Sequence, residues 1–139
     1  MSIRIFYDKV SFRIKGWKRV IKVIEKVILN NGKTTGNINV IITDDETLKE
    51  INVQFLKHNY YTDVITFDYS IGNAVSGEIY ISIDSVKENV LNYNVSLKEE
   101  IRRVVIHGIL HLVGYNDKMK KEKVVMKANE DFWLGRFED

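Results

Sequence analysis

Apolar and polar residues alternate from Ile3 to Tyr7, the period of a strand with one buried face. The period then changes. Trp17, Val20, Ile21, Ile24, Val27 and Ile28 recur at helical spacing, and the stripe stops at the turn residues Asn30, Asn31 and Gly32. Asn39 to Thr43 (NVIIT) is a short apolar run that predicts a buried strand. Asp44 or Asp45 then caps a helix whose Leu48, Ile51, Val53 and Phe55 point to the core. Beyond a polar stretch, Asp63 to Asp68 (DVITFD) and Gly77 to Ile83 (GEIYISI) are rich in branched and aromatic residues and predict two more strands. The loop between them, Ser70 to Gly77, is too long for a tight hairpin.

Asp84 to Asn94 reads as a helix. Ser96 and Glu99 then form a capping box, in which hydroxyl and carboxylate each satisfy a free amide at a helix start. The helix that follows carries Leu97, Ile101, Val104, Val105 and Leu112 as apolar contacts, and a last helix runs from about Lys118 to Trp133. The order is strand, helix, strand, helix, two strands and three helices. It predicts a single α+β domain, a mixed sheet of about four strands covered by helices, with the apolar helix after Ser96 lying centrally.

The chain has 139 residues, enough for one domain with a real core, and no cysteine, which excludes disulfides and thiolate metal sites. The first residues carry scattered charges and do not resemble a signal peptide, and no apolar run approaches membrane-spanning length. A cytoplasmic protein without a membrane partner is expected. The net charge is only +2, but it is unevenly spread. Lys9, Arg13, Lys15, Lys18, Arg19, Lys22 and Lys26 face the single acid Glu25, and five lysines between Lys118 and Lys127 face Glu122. Such runs are solvated helix faces or a surface for a polyanion.

The chemistry concentrates in residues 107–117, HGILHLVGYND. His107 and His111 are i and i+4, which stacks both imidazoles on one helix face. Gly114 suits the left-handed conformation that ends helices, and the reversal there can return the Asp117 carboxylate over the imidazoles. Three ligands around a divalent metal would leave a position for water. Asp117 also precedes the last helix closely enough to be its N-cap, and the two roles can coexist. The spacing H-x-x-x-H-x-x-G-x-x-D resembles that of zinc peptidases, but the glutamate that serves as their base after the first histidine is here Gly108. A metallopeptidase is therefore disfavoured, and a leaving group less demanding than an amine is indicated.

The same segment resembles the HGxLHLxGYDH pattern of the YbeY family of bacterial endoribonucleases. Thr62 to Phe67 (TDVITF) is similar to that family's TDVLSF, and Gly77 to Ser82 (GEIYIS) to its GDIxIS, in the same order. The resemblance implies an α+β fold, one Zn²⁺ and hydrolysis of single-stranded RNA. It also implies a part in ribosomal RNA maturation and quality control at the small ribosomal subunit. It places His107 and His111 as zinc ligands and Asp117 where the family usually has histidine. Leu56 stands where the family commonly has an arginine thought to meet substrate.

Two imidazoles and one carboxylate leave a divalent site at net +1, against +2 for three imidazoles. The extra negative ligand weakens the Lewis acid and raises the pKa of bound water above the roughly 7 reached with three histidines. An Asp117→His variant is therefore expected to have its activity optimum at lower pH than the parent. An unchanged pH profile would show that Asp117 does not coordinate.

Other candidates surround this centre. Arg103, one turn before His107, can neutralise charge on a phosphorane or pair with Glu99 or Glu100. His58, the remaining histidine, is a weak catalytic candidate. Thr62 and Asp63 can shape an RNA cleft, and Tyr60, Tyr61 and Tyr69 can stack on unpaired bases. Two other readings compete: a non-haem iron enzyme, which the helical pattern disfavours, and a ribosome-assembly factor whose metal is structural and takes His58 as a fourth ligand.

Overall fold

The computed structural model describes residues 2–58 and 61–139; Tyr60, a stacking candidate, lies outside them. The elements follow the predicted order: β1 (Ser2–Tyr7), α1 (Trp17–Asn30), β2 (Thr34–Thr43), α2 (Asp45–Ile51), β3 (Val64–Asp68), β4 (Ala74–Ser82), α3 (Ile83–Tyr93), α4 (Leu97–Leu112) and α5 (Lys120–Leu134). One mixed sheet has the order β1-β2-β4-β3, with β3 antiparallel to β4 and the other pairs parallel. A β4 flanked on both sides accounts for its apolar alternation of Val75, Gly77, Ile79 and Ile81, all buried against helices.

Ile38, Val40 and Ile42 of β2 join the same inner face and pack with Val20, Val23, Ile24, Val27 and Ile28 of α1. Across the sheet, Ile65 pairs with Tyr80, so alternation sends both to the outer face. Leu48 of α2 and Ile65 are buried outside the main core.

Asp44 rather than Asp45 caps α2, its Oδ1 accepting from the Thr47 amide at 2.8 Å. That bond holds the Asp44 carboxyl below the usual carboxylate range. Two expectations fail nearby. Val53 and Phe55 are exposed, not core, because α2 widens into a π-helical turn over Asn52–Leu56, and the inserted residue rotates the stripe outward. Asn52 takes the buried place, and Phe55 meets Phe67 edge-on at 5.9 Å. The second difference is in β2, which starts at Thr34, ahead of its apolar run, by pairing Thr34 and Thr35 with Ala74 and Val75. Away from α2, the long loop expected from Ser70 to Gly77 is instead a tight hairpin: β4 starts at Ala74, and Ile71 and Ala74 exchange backbone bonds of 3.2 and 3.1 Å across Gly72 and Asn73, with Gly72 at φ +58.

Candidate metal centre

The helix that carries both histidines, α4, is built to be central. Ser96 Oγ accepts from the Glu99 amide at 3.1 Å to start α4; the return contact from the Glu99 carboxylate is not made. Ile101, Val104, Val105, Ile106, Ile109 and Leu110 are buried, so α4 is apolar around most of its circumference. Gly108 lets it lie close on the sheet: a Cβ there would sit 2.8 Å from Ile79 Cγ2. The position after the first histidine thus points into β4 and away from the imidazole face.

The end of α4 places the third candidate, Asp117. Gly114 has φ +111, its amide donates to the His111 carbonyl at 3.0 Å, and the Tyr115 amide donates to the Leu110 carbonyl at 2.9 Å. These bonds form a Schellman turn, which reverses the chain and satisfies carbonyls the helix leaves open. Asp117 follows the turn and is not the cap of α5. That helix begins three residues further on at Lys120, with Met119 as N-cap and the Glu122 carboxylate accepting from the Met119 amide at 2.8 Å.

Three donor atoms converge beside α4. His107 Nε2 and His111 Nε2 are 3.1 Å apart, and Asp117 Oδ2 lies 3.3 Å from the first and 3.5 Å from the second. Zinc–nitrogen bonds of 2.0–2.1 Å in tetrahedral array put neighbouring ligand atoms about 3.3 Å apart, so the spacing and donor set fit a zinc-sized ion. The opposite ring nitrogens are engaged. His107 Nδ1 lies 2.7 Å from Glu130 Oε2, and His111 Nδ1 lies 3.0 Å from the Tyr115 carbonyl. A carboxylate and a carbonyl only accept, so each Nδ1 carries hydrogen and each Nε2 presents a lone pair. Facing lone pairs repel unless a proton or metal cation lies among them. Among the described residues this is the one group of three or more such side chains close enough to share an ion.

Burial pulls the His107 pKa down, but the hydrogen bond and charge of Glu130, with the charges of Asp117 and Asp63, outweigh it and leave the imidazole above its ordinary value. A proton would therefore compete with any metal held at these atoms.

A cleft of about 560 Å³ opens beside His107 and Asp117, between Tyr93 and Val95 on one side and Lys123, Met126 and Lys127 of α5 on the other. The second basic run thus borders the candidate centre. Arg103 reaches across to α5, where Nη1 bonds Glu130 and Nη2 bonds Asp131, each at 2.9 Å, rather than pairing along its own helix with Glu99 or Glu100. Asp63 is near, accepting from Asn89 Nδ2 at 3.1 Å and lining a smaller hollow with Arg103 and His107. Thr62 Oγ1 donates to the Val64 carbonyl at 3.4 Å.

His58 is exposed and is not among the clustered ligands. Leu56 is exposed in the π-helical turn. Tyr61 and Tyr69 are exposed, with their hydroxyls bonded to Glu46 and Glu78. The sequence reading missed Glu130. Its available signal was position: Met126, Glu130 and Trp133 form the buried stripe of α5, and an acid on such a stripe needs a partner.

Glu100 also lines the cleft, with only 3% of its surface exposed. Burial pushes its carboxyl pKa up, against the hydrogen bond from Asn89 and the charge of Arg103. A raised folded-state value makes a contribution that is full below the ordinary carboxyl range and lost as pH rises through the folded value. Glu100→Gln is therefore expected to raise the melting temperature at pH 7, with the gain shrinking toward pH 4. Thermal unfolding at both pH values checks this, and an equal change at each would contradict it.

The sequence profile of the family described as Endoribonuclease YbeY matches residues 5–138. The chain belongs to that family. An Endoribonuclease YbeY of Flavobacterium psychrophilum is 44% identical over 132 residues, covering 95% of this chain and 94% of the relative. One from Parabacteroides distasonis is 45% identical over 131 residues, covering 94% and 92%. Among solved structures, the solution structure of a Thermotoga maritima protein matches with a TM-score of 0.65 and 31% identity, over 96% of this chain and 87% of that one. The α+β fold is thus the one the YbeY resemblance implies, its four-stranded sheet is the one the order of elements predicts, and the described residues form no second sheet to frame a non-haem iron site. No helix among the described residues is long and apolar enough to cross a membrane.

Proposed function

We propose that this chain is a metal-dependent endoribonuclease that cuts single-stranded RNA. Its substrate on this reading is ribosomal RNA, and its partner is the small ribosomal subunit or its assembly factors, in the cytoplasm. The observation that carries the metal part is the convergence of His107 Nε2, His111 Nε2 and Asp117 Oδ2 within 3.1–3.5 Å of one another. Their nitrogen and oxygen donor set and three-point spacing favour Zn²⁺, while other divalent ions are compatible. Three protein ligands, with no fourth in the cluster among the described residues, favour a catalytic over a closed structural site. A zinc ion held there would supply a Lewis acid for a phosphoryl oxygen and lower the pKa of a bound water.

The chain's own residues do the rest. Lys123 and Lys127 border the cleft and favour approach of a polyanion. Gly108 offers no base, so none is assigned beside the first histidine. Membership of a family described as endoribonucleases supports the activity, and the cleft beside the ligands supports an unpaired strand over a duplex.

The test is single-turnover cleavage of an end-labelled unstructured RNA and of the same strand in a duplex, after chelation and after zinc is returned. Cutting of the single strand alone, lost on chelation and restored by zinc, is expected. Cutting that survives chelation, or none by the zinc-loaded protein, rejects the reading.

A further inference from the structure

We propose that Glu130, held by Arg103, is the positioning residue of His107, so that α5 completes the metal centre. The inference rests on the metal reading above. Glu130 is buried and uses both carboxylate oxygens: Oε2 at 2.7 Å from His107 Nδ1 and Oε1 at 2.9 Å from Arg103 Nη1. Arg103 is in turn tied to Asp131 Oδ1. Arg103 and His107 are one turn apart on α4, and Glu130 and Asp131 are adjacent on α5, so the four groups join the two helices at the ligand.

The chemistry of this relay is directional. Because the carboxylate can only accept, it keeps hydrogen on Nδ1, leaves Nε2 bare toward Asp117 and His111, and fixes the ring plane. His111 gets the same service from a backbone carbonyl, which no side-chain replacement removes. His107 depends on a side chain. A buried Glu–Arg pair with a merely structural part would alter stability but would set neither the tautomer of His107 nor metal affinity. Arg103 acts through Glu130: its charge offsets the buried carboxylate, and its two terminal nitrogens are both occupied by acids of α5.

Glu130→Gln is the informative change because an amide has one accepting oxygen where the carboxylate has two. If that oxygen faces Arg103, the amide NH₂ faces His107 Nδ1 and drives hydrogen to Nε2; if it faces His107, the NH₂ abuts the guanidinium. We expect zinc affinity, read by competition with a chromophoric chelator, to fall about 10- to 100-fold, the usual effect of removing such a partner. In the metal-free variant, imidazole nitrogen chemical shifts should show His107 losing its Nδ1–H form while His111 keeps it. Adding Arg103→Met to Glu130→Gln frees the amide oxygen for His107 and should recover part of the affinity.

Parent-like affinity together with a parent-like His107 tautomer in Glu130→Gln overturns the proposal and leaves the metal reading intact. Failure of the parent itself to bind zinc overturns the metal reading and this one with it. If Glu130→Gln does not fold, Glu130→Asp, which keeps the charge on a shorter arm, is read by the same two measurements.

Discussion

Replacing His111 by alanine is expected to lower single-turnover cleavage of an unstructured RNA by about 10²- to 10⁴-fold. The range follows from losing several kcal/mol of metal-supplied stabilisation, at 1.36 kcal/mol per tenfold in rate. Of the three ligand atoms, His111 Nε2 stands within 3.1 Å of one partner and 3.5 Å of the other, so its removal leaves two ligands and an open side. The fold should survive. Alanine is the best helix former, the Schellman turn at Gly114 is made by backbone alone, and the one bond lost, to the Tyr115 carbonyl, is worth about 1 kcal/mol. Circular dichroism and metal content measured on the same sample separate the outcomes. A folded variant that lacks zinc and still cleaves at the parent rate would remove the imidazole cluster from the mechanism.

The second large effect is on folding. Gly108→Glu, which would restore the glutamate of zinc peptidases, is expected to unfold the chain rather than create a peptidase. A Cβ at residue 108 falls 2.8, 3.1 and 3.3 Å from three carbons of Ile79, a β-branched side chain fully buried in β4. Gly108→Ala alone should cost about 1–3 kcal/mol by overpacking, less the roughly 1 kcal/mol alanine gains in a helix. The glutamate adds an unpaired carboxylate against apolar β-sheet, a burden of more than about 4 kcal/mol against a typical total of about 5–15. Thermal unfolding should show the cooperative transition lost in Gly108→Glu and shifted down in Gly108→Ala. A Gly108→Glu protein melting near the parent would mean that α4 does not approach the sheet as described.

The clustering of His107, His111 and Asp117 was legible because it is local. Two histidines one turn apart, a glycine at the helix end and an acid three residues on are all set by helix geometry and by a backbone conformation that suits glycine. The layer order was legible for a similar reason, since strand and helix periods differ enough to be read off the apolar positions. What failed or was missed depends on tertiary partners. The extension of β2 back to Thr34 is invisible in TTGNIN because it comes from pairing with Ala74 and Val75. The outward turn of Val53 and Phe55 follows from one residue inserted in a helical turn, which no periodic pattern announces. The partner of Arg103 lies on α5 rather than on its own helix, so spacing along α4 pointed to Glu99 or Glu100. Glu130 matters only because α5 crosses α4 at His107, a fact that belongs to packing and not to either helix alone.

The order in which the site's parts occur along the chain has a temporal consequence. All three donor atoms, the reversal at Gly114 and the Glu130 carboxylate fall within residues 107–130, after every strand of the sheet. During synthesis the sheet strands leave the ribosome first, at about 5–20 residues per second, and the centre stays incomplete for the seconds it takes α5 to emerge. A half-made chain therefore holds the scaffold before α5 is in place, and on the proposed reading competence arrives only with that helix.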